Sequence, residues 1–198
     1  MQMLLDSPPR PFAPLGRGSP RGRHAGFTLI ELMIVVTIVG VLAVIAVVGY
    51  RKLVLSGKVT EAKNLISGVR VAQEEYKVER GIYANIGPAL CPLATSGTLQ
   101  IKVGWDPACN GGAATWAVLP VHVDGPVQFG YATVAGAGVA PPSNVGQPVT
   151  FVSIPATVGT DPWYYVTASA DLDGNGGMFT ELVGTSWQNT IFTFQEGE

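Results

Sequence analysis

The sequence predicts an α+β fold: one long N-terminal helix, apolar in its first half and amphipathic in its second, packed on an antiparallel β-sheet head. Three observations predict it. Residues 27–50 form a 24-residue run whose single formal charge is Glu31. Residues 51–80 repeat apolar side chains at three- and four-residue spacing between charged ones. Beyond Gly81 the chain becomes rich in Gly, Pro and Thr, with short β-type runs set between turn signals.

Residues 1–26 carry Arg10, Arg17, Arg21 and Arg23 against Asp6, with several prolines and little apolar periodicity. Such a segment cannot bury a core, so it is expected to be a cationic leader rather than a fold. The run at 27–50 is long enough, at about 1.5 Å per residue, to cross a hydrocarbon layer of about 30 Å. Its β-branched residues would favour strand in water, but in lipid the backbone must satisfy its own hydrogen bonds, which makes a single spanning segment helical. A cleaved secretory signal is disfavoured: the run is too long, contains Glu31 and lacks a small-residue cleavage site before Arg51 and Lys52. Arg17, Arg21 and Arg23 would hold the N-terminus on the cytoplasmic side, although Arg51 and Lys52 oppose that orientation. Gly40 and Gly49 are the soft points of the run, and no proline lies between Pro20 and Pro88.

From residue 51, Leu55, Val59, Ala62, Ile66, Val69 and Ala72 through Tyr76 recur at three- and four-residue spacing, with Lys58, Lys63, Glu74 and Lys77 elsewhere, as the stripe of a helix lying on a core, which Gly81 ends. The helix would then be about 50 residues and roughly 80 Å long. Charge divides unevenly along the chain, whose net value is −2. Residues 51–80 are basic overall, whereas past Arg80 the only base is Lys102 among eight acids. An acidic head repels phosphate, so nucleic-acid binding by the head alone is excluded as a leading function. The β-type runs fall at 98–103, 115–123, 127–134, 149–154, 163–169, 178–183 and 190–194, with a mobile loop expected at 134–148. They predict a meander of about four to seven strands laid over the amphipathic half of the helix.

Glu31 is the residue that demands a chemical reason, because a carboxylate in an apolar span needs a partner. Gly26 followed by Phe27-Thr28-Leu29-Ile30-Glu31-Leu32-Met33-Ile34-Val35-Val36 resembles the N-terminal signature of type IV pilins and of the pseudopilins of type II secretion. The resemblance covers about a quarter of the chain. It implies that a prepilin peptidase cuts after Gly26 and that the new N-terminus, Phe27, is N-methylated. It also implies that Glu31 neutralises that amine, on an adjacent subunit, as the chain enters a homo-oligomeric filament. The electrostatics agree independently. Cutting frees an amine that is largely cationic at neutral pH, one helical turn from Glu31, and the macrodipole favours an acid in the first turn. The pair forms within one chain or between chains; a carboxylate snorkelling to the interface is the plainer alternative.

The resemblance further implies an inner-membrane single-pass precursor, handled by the pilus assembly machinery and then built into an extracellular pilus or a periplasmic pseudopilus. Assembly, not catalysis, is the expected role. The sequence has no G-x-S-x-G, no phosphate-cradling loop with Lys, and a single histidine after Gly26, His122. Cys91 and Cys109 are expected to form a disulfide on the oxidising side, with metal binding the weaker reading because further thiolate or imidazole ligands are lacking. Asp171, Asp173 and Asn175 alternate ahead of Gly176, as at the start of an EF-hand-like calcium loop. The bidentate Glu of such a loop is absent, since Leu182 stands at its position, and a hairpin turn is the competing reading. Trp105, Trp116, Trp163 and Trp187 are spaced as core or subunit-contact residues.

Overall fold

The computed structural model describes residues 26–92, 101–138, 161–172, 174 and 180–195. The chain divides into two units, residues 1–43 and 44–198. A 52-residue helix, α1 (Leu29–Arg80), contributes to both. In the first unit its residues are exposed on every face, as expected of a segment with no protein partner of its own. Thr37, an uncharged polar residue in that stretch, returns its hydroxyl to the Met33 carbonyl at 2.8 Å.

In the second unit the stripe predicted from the sequence is the buried face: Val59, Ala62, Ile66 and Val69 are fully buried and Ala72 nearly so. α1 stops at Gly81, whose φ of 77° is a left-handed value that glycine reaches without steric cost; its N–H closes on the Lys77 carbonyl at 2.8 Å.

The sheet has five described strands, β1 (Gly87–Cys91), β2 (Gly130–Gly136), β3 (Trp163–Ala170), β4 (Thr180–Thr185) and β5 (Phe192–Phe194), in the order β1-β2-β3-β4-β5 and antiparallel throughout. With Tyr131 opposite Ala168, and Ala168 opposite Leu182, period-2 alternation puts Tyr131, Val166, Ala168, Ala170 and Leu182 into one core with the helix stripe. Gly184 marks the closest approach: a Cβ there would lie 2.7 Å from the Ile66 side chain. The α+β class with an antiparallel sheet is therefore as predicted.

Individual strands differ from expectation. The run at 115–123 is not a strand: Trp116–Val118 is a 3-10 turn and the rest is irregular. Its donors go to the disulfide loop instead, Trp116 N–H to the Cys109 carbonyl and Ala117 N–H to that of Pro107, and Pro120 lacks the donor a ladder would need. Residues 101–103 carry a lone bridge, Val103 to Val127, rather than a strand, and β2 starts three residues later than the predicted run. Residues 134–136, expected in a mobile loop, close β2; the rest of that loop beyond residue 138, the run at 149–154 and residues 98–100 lie outside the described residues. β1 was not expected, because Gly87-Pro88 reads as a turn. Pro88 is tolerated since β1 is at the margin of the sheet, and the segment 111–114 lies along it, with Ala89 N–H on the Gly111 carbonyl and Ala113 N–H on that of Ile86, both at 2.8 Å.

Cys91 and Cys109 are joined, eighteen residues apart, and Cys91 is fully buried. Replacing both with serine is expected to lower stability by about 3 kcal/mol, the loop-closure entropy of a ring of that size, read as a lower midpoint in a urea melt. An unchanged midpoint would show that the ring does not constrain the unfolded chain.

Candidate functional site

Gly26, Phe27 and Thr28 precede α1 in non-helical backbone, and all three are exposed. Thr28 is the residue that starts the helix: its carbonyl accepts the first helical bond, from Leu32 N–H at 3.2 Å. The Thr28 hydroxyl accepts from Glu31 N–H at 3.3 Å, and the Glu31 carboxylate reaches back to accept from Thr28 N–H at 2.9 Å and from the Thr28 hydroxyl at 2.8 Å. This reciprocal pair is a capping box, in which two helix-end donors that lack an intrahelical partner are satisfied by side chains. Both bonds to the carboxylate use Oε2, so Oε1 carries no hydrogen bond among the described residues.

The carboxylate that seemed to lack a partner thus has one within its own chain while the Gly26–Phe27 bond is intact. Sequence reasoning passed over Thr28, although Thr-x-x-Glu immediately before an apolar run is the signature that finds it. The peptide between Gly26 and Phe27 lies outside the helix, two residues before its first turn.

Residues 21–47 match the prokaryotic N-terminal methylation motif. Its N-terminal part is similar to that of several type IV pilins. Over 58 residues it is 47% identical to the fimbrial protein EcpC of Eikenella corrodens, covering 29% of this chain and 38% of that one. It is 42% identical over 71 residues to the type IV major pilin protein PilA of Myxococcus xanthus, 36% of this chain and 31% of that pilin. The match to the type IV major pilin protein PilE of Neisseria gonorrhoeae is 33% over 103 residues, 52% and 61% of the two chains. The chain therefore spans less than two thirds of the length of the curated pilins it matches. No solved structure matches it. The methylation-motif match overlaps the start of α1, a helix long and apolar enough to cross a membrane.

Four polar side chains tie α1 to the rest of the second unit. Gln73, fully buried, donates to the Ala84 carbonyl at 2.8 Å and to the Thr133 hydroxyl at 3.0 Å, while its own oxygen accepts from Ala84 N–H at 2.8 Å. Arg70 donates to the carbonyls of Asn189 and Gln188, at 2.8 and 3.1 Å, tying the β4–β5 connection to the helix. Glu61 pairs with Lys102 at 2.6 Å, and Glu74 accepts from the Tyr83 hydroxyl at 2.9 Å. Burial pushes the Tyr83 and Tyr131 phenols up, helped by the nearby carboxylates of Glu74 and Glu61 respectively; both therefore stay neutral across the physiological range.

Asp171 is fully buried and its Oδ1 accepts from Gly174 N–H at 2.7 Å, a turn-forming bond. Asp173 and Asn175, on which the calcium reading rests, lie outside the described residues.

Proposed function

We propose that this chain is a structural subunit of a type IV pilus-like filament, made as a single-pass inner-membrane precursor, cut between Gly26 and Phe27 by a prepilin peptidase and N-methylated at Phe27. Residues 1–26 are then the leader, 27–50 the segment that passes from lipid into the filament core, 51–80 the amphipathic half of the helix and 81–198 the head. The observation that carries this reading is the methylation-motif match at residues 21–47, falling on a stretch whose Gly26–Phe27 bond is non-helical, exposed and just before the helix.

Physical chemistry supplies the mechanism. Withdrawn from lipid, the apolar half of α1 stays out of water only by packing on the same half of other copies, since each exposed CH₂ would cost about 0.8 kcal/mol. Heterologous contacts of that kind propagate into a fibre without closing. Glu31 would meet the Phe27 amine through its open Oε1. The relatives matched are named as pilins and a fimbrial protein, which favours a pilus over the short pseudopilus of a secretion or DNA-uptake machine; electron microscopy of fibre length separates the two.

Mass spectrometry of fibres sheared from the cell surface tests the whole reading. Chains are expected to begin at Phe27 with one added methyl group. Fibres built of chains beginning at Met1, or with an unmodified amine, would refute it. Gly26→Val places a branched side chain against the scissile bond and is expected to leave only uncut precursor on an immunoblot; normal processing would move the cut elsewhere.

A further inference from the structure

The protein itself engages most bases of the described residues. Arg70 holds the β4–β5 connection, Lys102 pairs with Glu61, Lys77 donates to the Tyr83 hydroxyl at 3.1 Å, and Arg80 lies 5.6 Å from the centre of the Tyr76 ring. Lys63 also has a partner. Arg51, Lys52 and Lys58 differ: none makes a hydrogen bond or ion pair among the described residues. All three fall within about two helical turns of Tyr50, the last residue of the apolar run, and Arg51 and Lys58, seven residues apart, share a face.

Of the three, Arg51 lines a cavity of about 450 Å³ together with Tyr50, Val54, Leu55 and Leu172. Leu172, delivered by the connection after β3, forms its wall together with the helix. The lining joins hydrocarbon to a guanidinium and a phenol. A free anion would gain nothing from Val54, Leu55 and Leu172, and a hydrocarbon would gain nothing from unpaired bases. A phosphodiester attached to an acyl chain uses both.

We propose that Arg51, Lys52, Lys58 and this cavity form a binding site for an anionic phospholipid of the membrane that holds the precursor, with the phosphodiester on the bases and the first acyl carbons against Val54, Leu55 and Leu172. The proposal rests on the membrane-anchored reading above. It also accounts for two positive residues on the side of the span where the topology rule disfavours them: their charge is met by lipid phosphate until the chain leaves the bilayer.

The test uses the full chain reconstituted into vesicles of equal parts phosphatidylglycerol and phosphatidylcholine, extracted gently and weighed with its retained lipid by native mass spectrometry. Phosphatidylglycerol is expected to exceed phosphatidylcholine by about tenfold or more, since each base near an anionic surface favours association by about fivefold. Arg51→Gln/Lys52→Gln/Lys58→Gln should bring the ratio close to parity, and Arg51→Lys should preserve it. If the triple variant misfolds, judged by circular dichroism, Arg51→Gln and Lys58→Gln singly should each lower the ratio by about fivefold. Equal retention of both lipids, or variants that keep the wild-type ratio, overturns the proposal. Displacement of phosphatidylglycerol by excess inorganic phosphate also overturns it, in favour of a free-phosphate site. Chain that fails to float with the vesicles refutes the membrane-anchored reading itself, an outcome recognisable before any lipid is weighed.

Discussion

Glu31→Ala is expected to leave the chain in the membrane and to abolish its appearance in sheared fibres. The apolar run becomes more apolar in the variant, so insertion has no reason to fail. What disappears is a single anion able to meet the Phe27 amine, together with one half of the capping box formed with Thr28. The two losses are separable. Glu31→Gln keeps an oxygen to accept from Thr28 N–H and so keeps the start of the helix, but it has no charge to offer an ammonium. Both variants should therefore be missing from the fibre fraction and present in the membrane fraction on parallel immunoblots. If Glu31→Gln assembled normally while Glu31→Ala did not, capping rather than charge would be the role of this residue; normal assembly of both would remove Glu31 from the mechanism.

Gln73→Leu is expected to destabilise the second unit by about 3–5 kcal/mol, lowering the midpoint of thermal unfolding by roughly 10 °C. Leucine fills similar space, so packing is largely kept. The variant leaves the Ala84 N–H and carbonyl without the partner each has in the wild type, in a place where Gln73 itself is fully buried. The Thr133 hydroxyl retains its bond to the Tyr165 carbonyl at 3.1 Å, so its loss is partial. Each stranded buried group costs about 1–3 kcal/mol, which sets the estimate. A circular-dichroism melt measures it, with the disulfide intact; a shift equivalent to less than about 1 kcal/mol would mean that water satisfies these groups and that Gln73 is an ordinary core position.

The helix was legible residue by residue because two strong periodic signals lie end to end: a run that has no aqueous solution other than a helix in lipid, then an apolar stripe at helical spacing closed by Gly81. Its buried face, Val59, Ala62, Ile66 and Val69, is the predicted one. Gln73 was invisible for a physical reason. A polar residue on an apolar stripe gives no sign of whether it points outward or is fully bonded inside, and its partners, Ala84 and Thr133, are distant in sequence. Thr28 was legible, because a Thr three residues before a Glu at the start of an apolar run is the signature of a capping box. The strands Trp163–Ala170 and Thr180–Thr185 overlap the runs at 163–169 and 178–183, which β-branched and aromatic residues mark in the sequence. β1 did not, because Gly87 and Pro88 suit a sheet margin for reasons that only the neighbouring chain supplies. The run at 115–123 misled in the opposite direction: its composition is that of a strand, but Trp116 is drawn into the core, edge-on to Trp105 at 5.1 Å, and the backbone follows it.

The segment at 111–114 lies along β1, bonding Ala89 N–H and the carbonyl of Ile86 just before the strand, while the far strand, β5, is only three residues long. A sheet bounded in this way offers little template for pairing with another sheet. In the membrane-held precursor proposed above, heads would then meet without zipping edge to edge, leaving association to the apolar half of the helix.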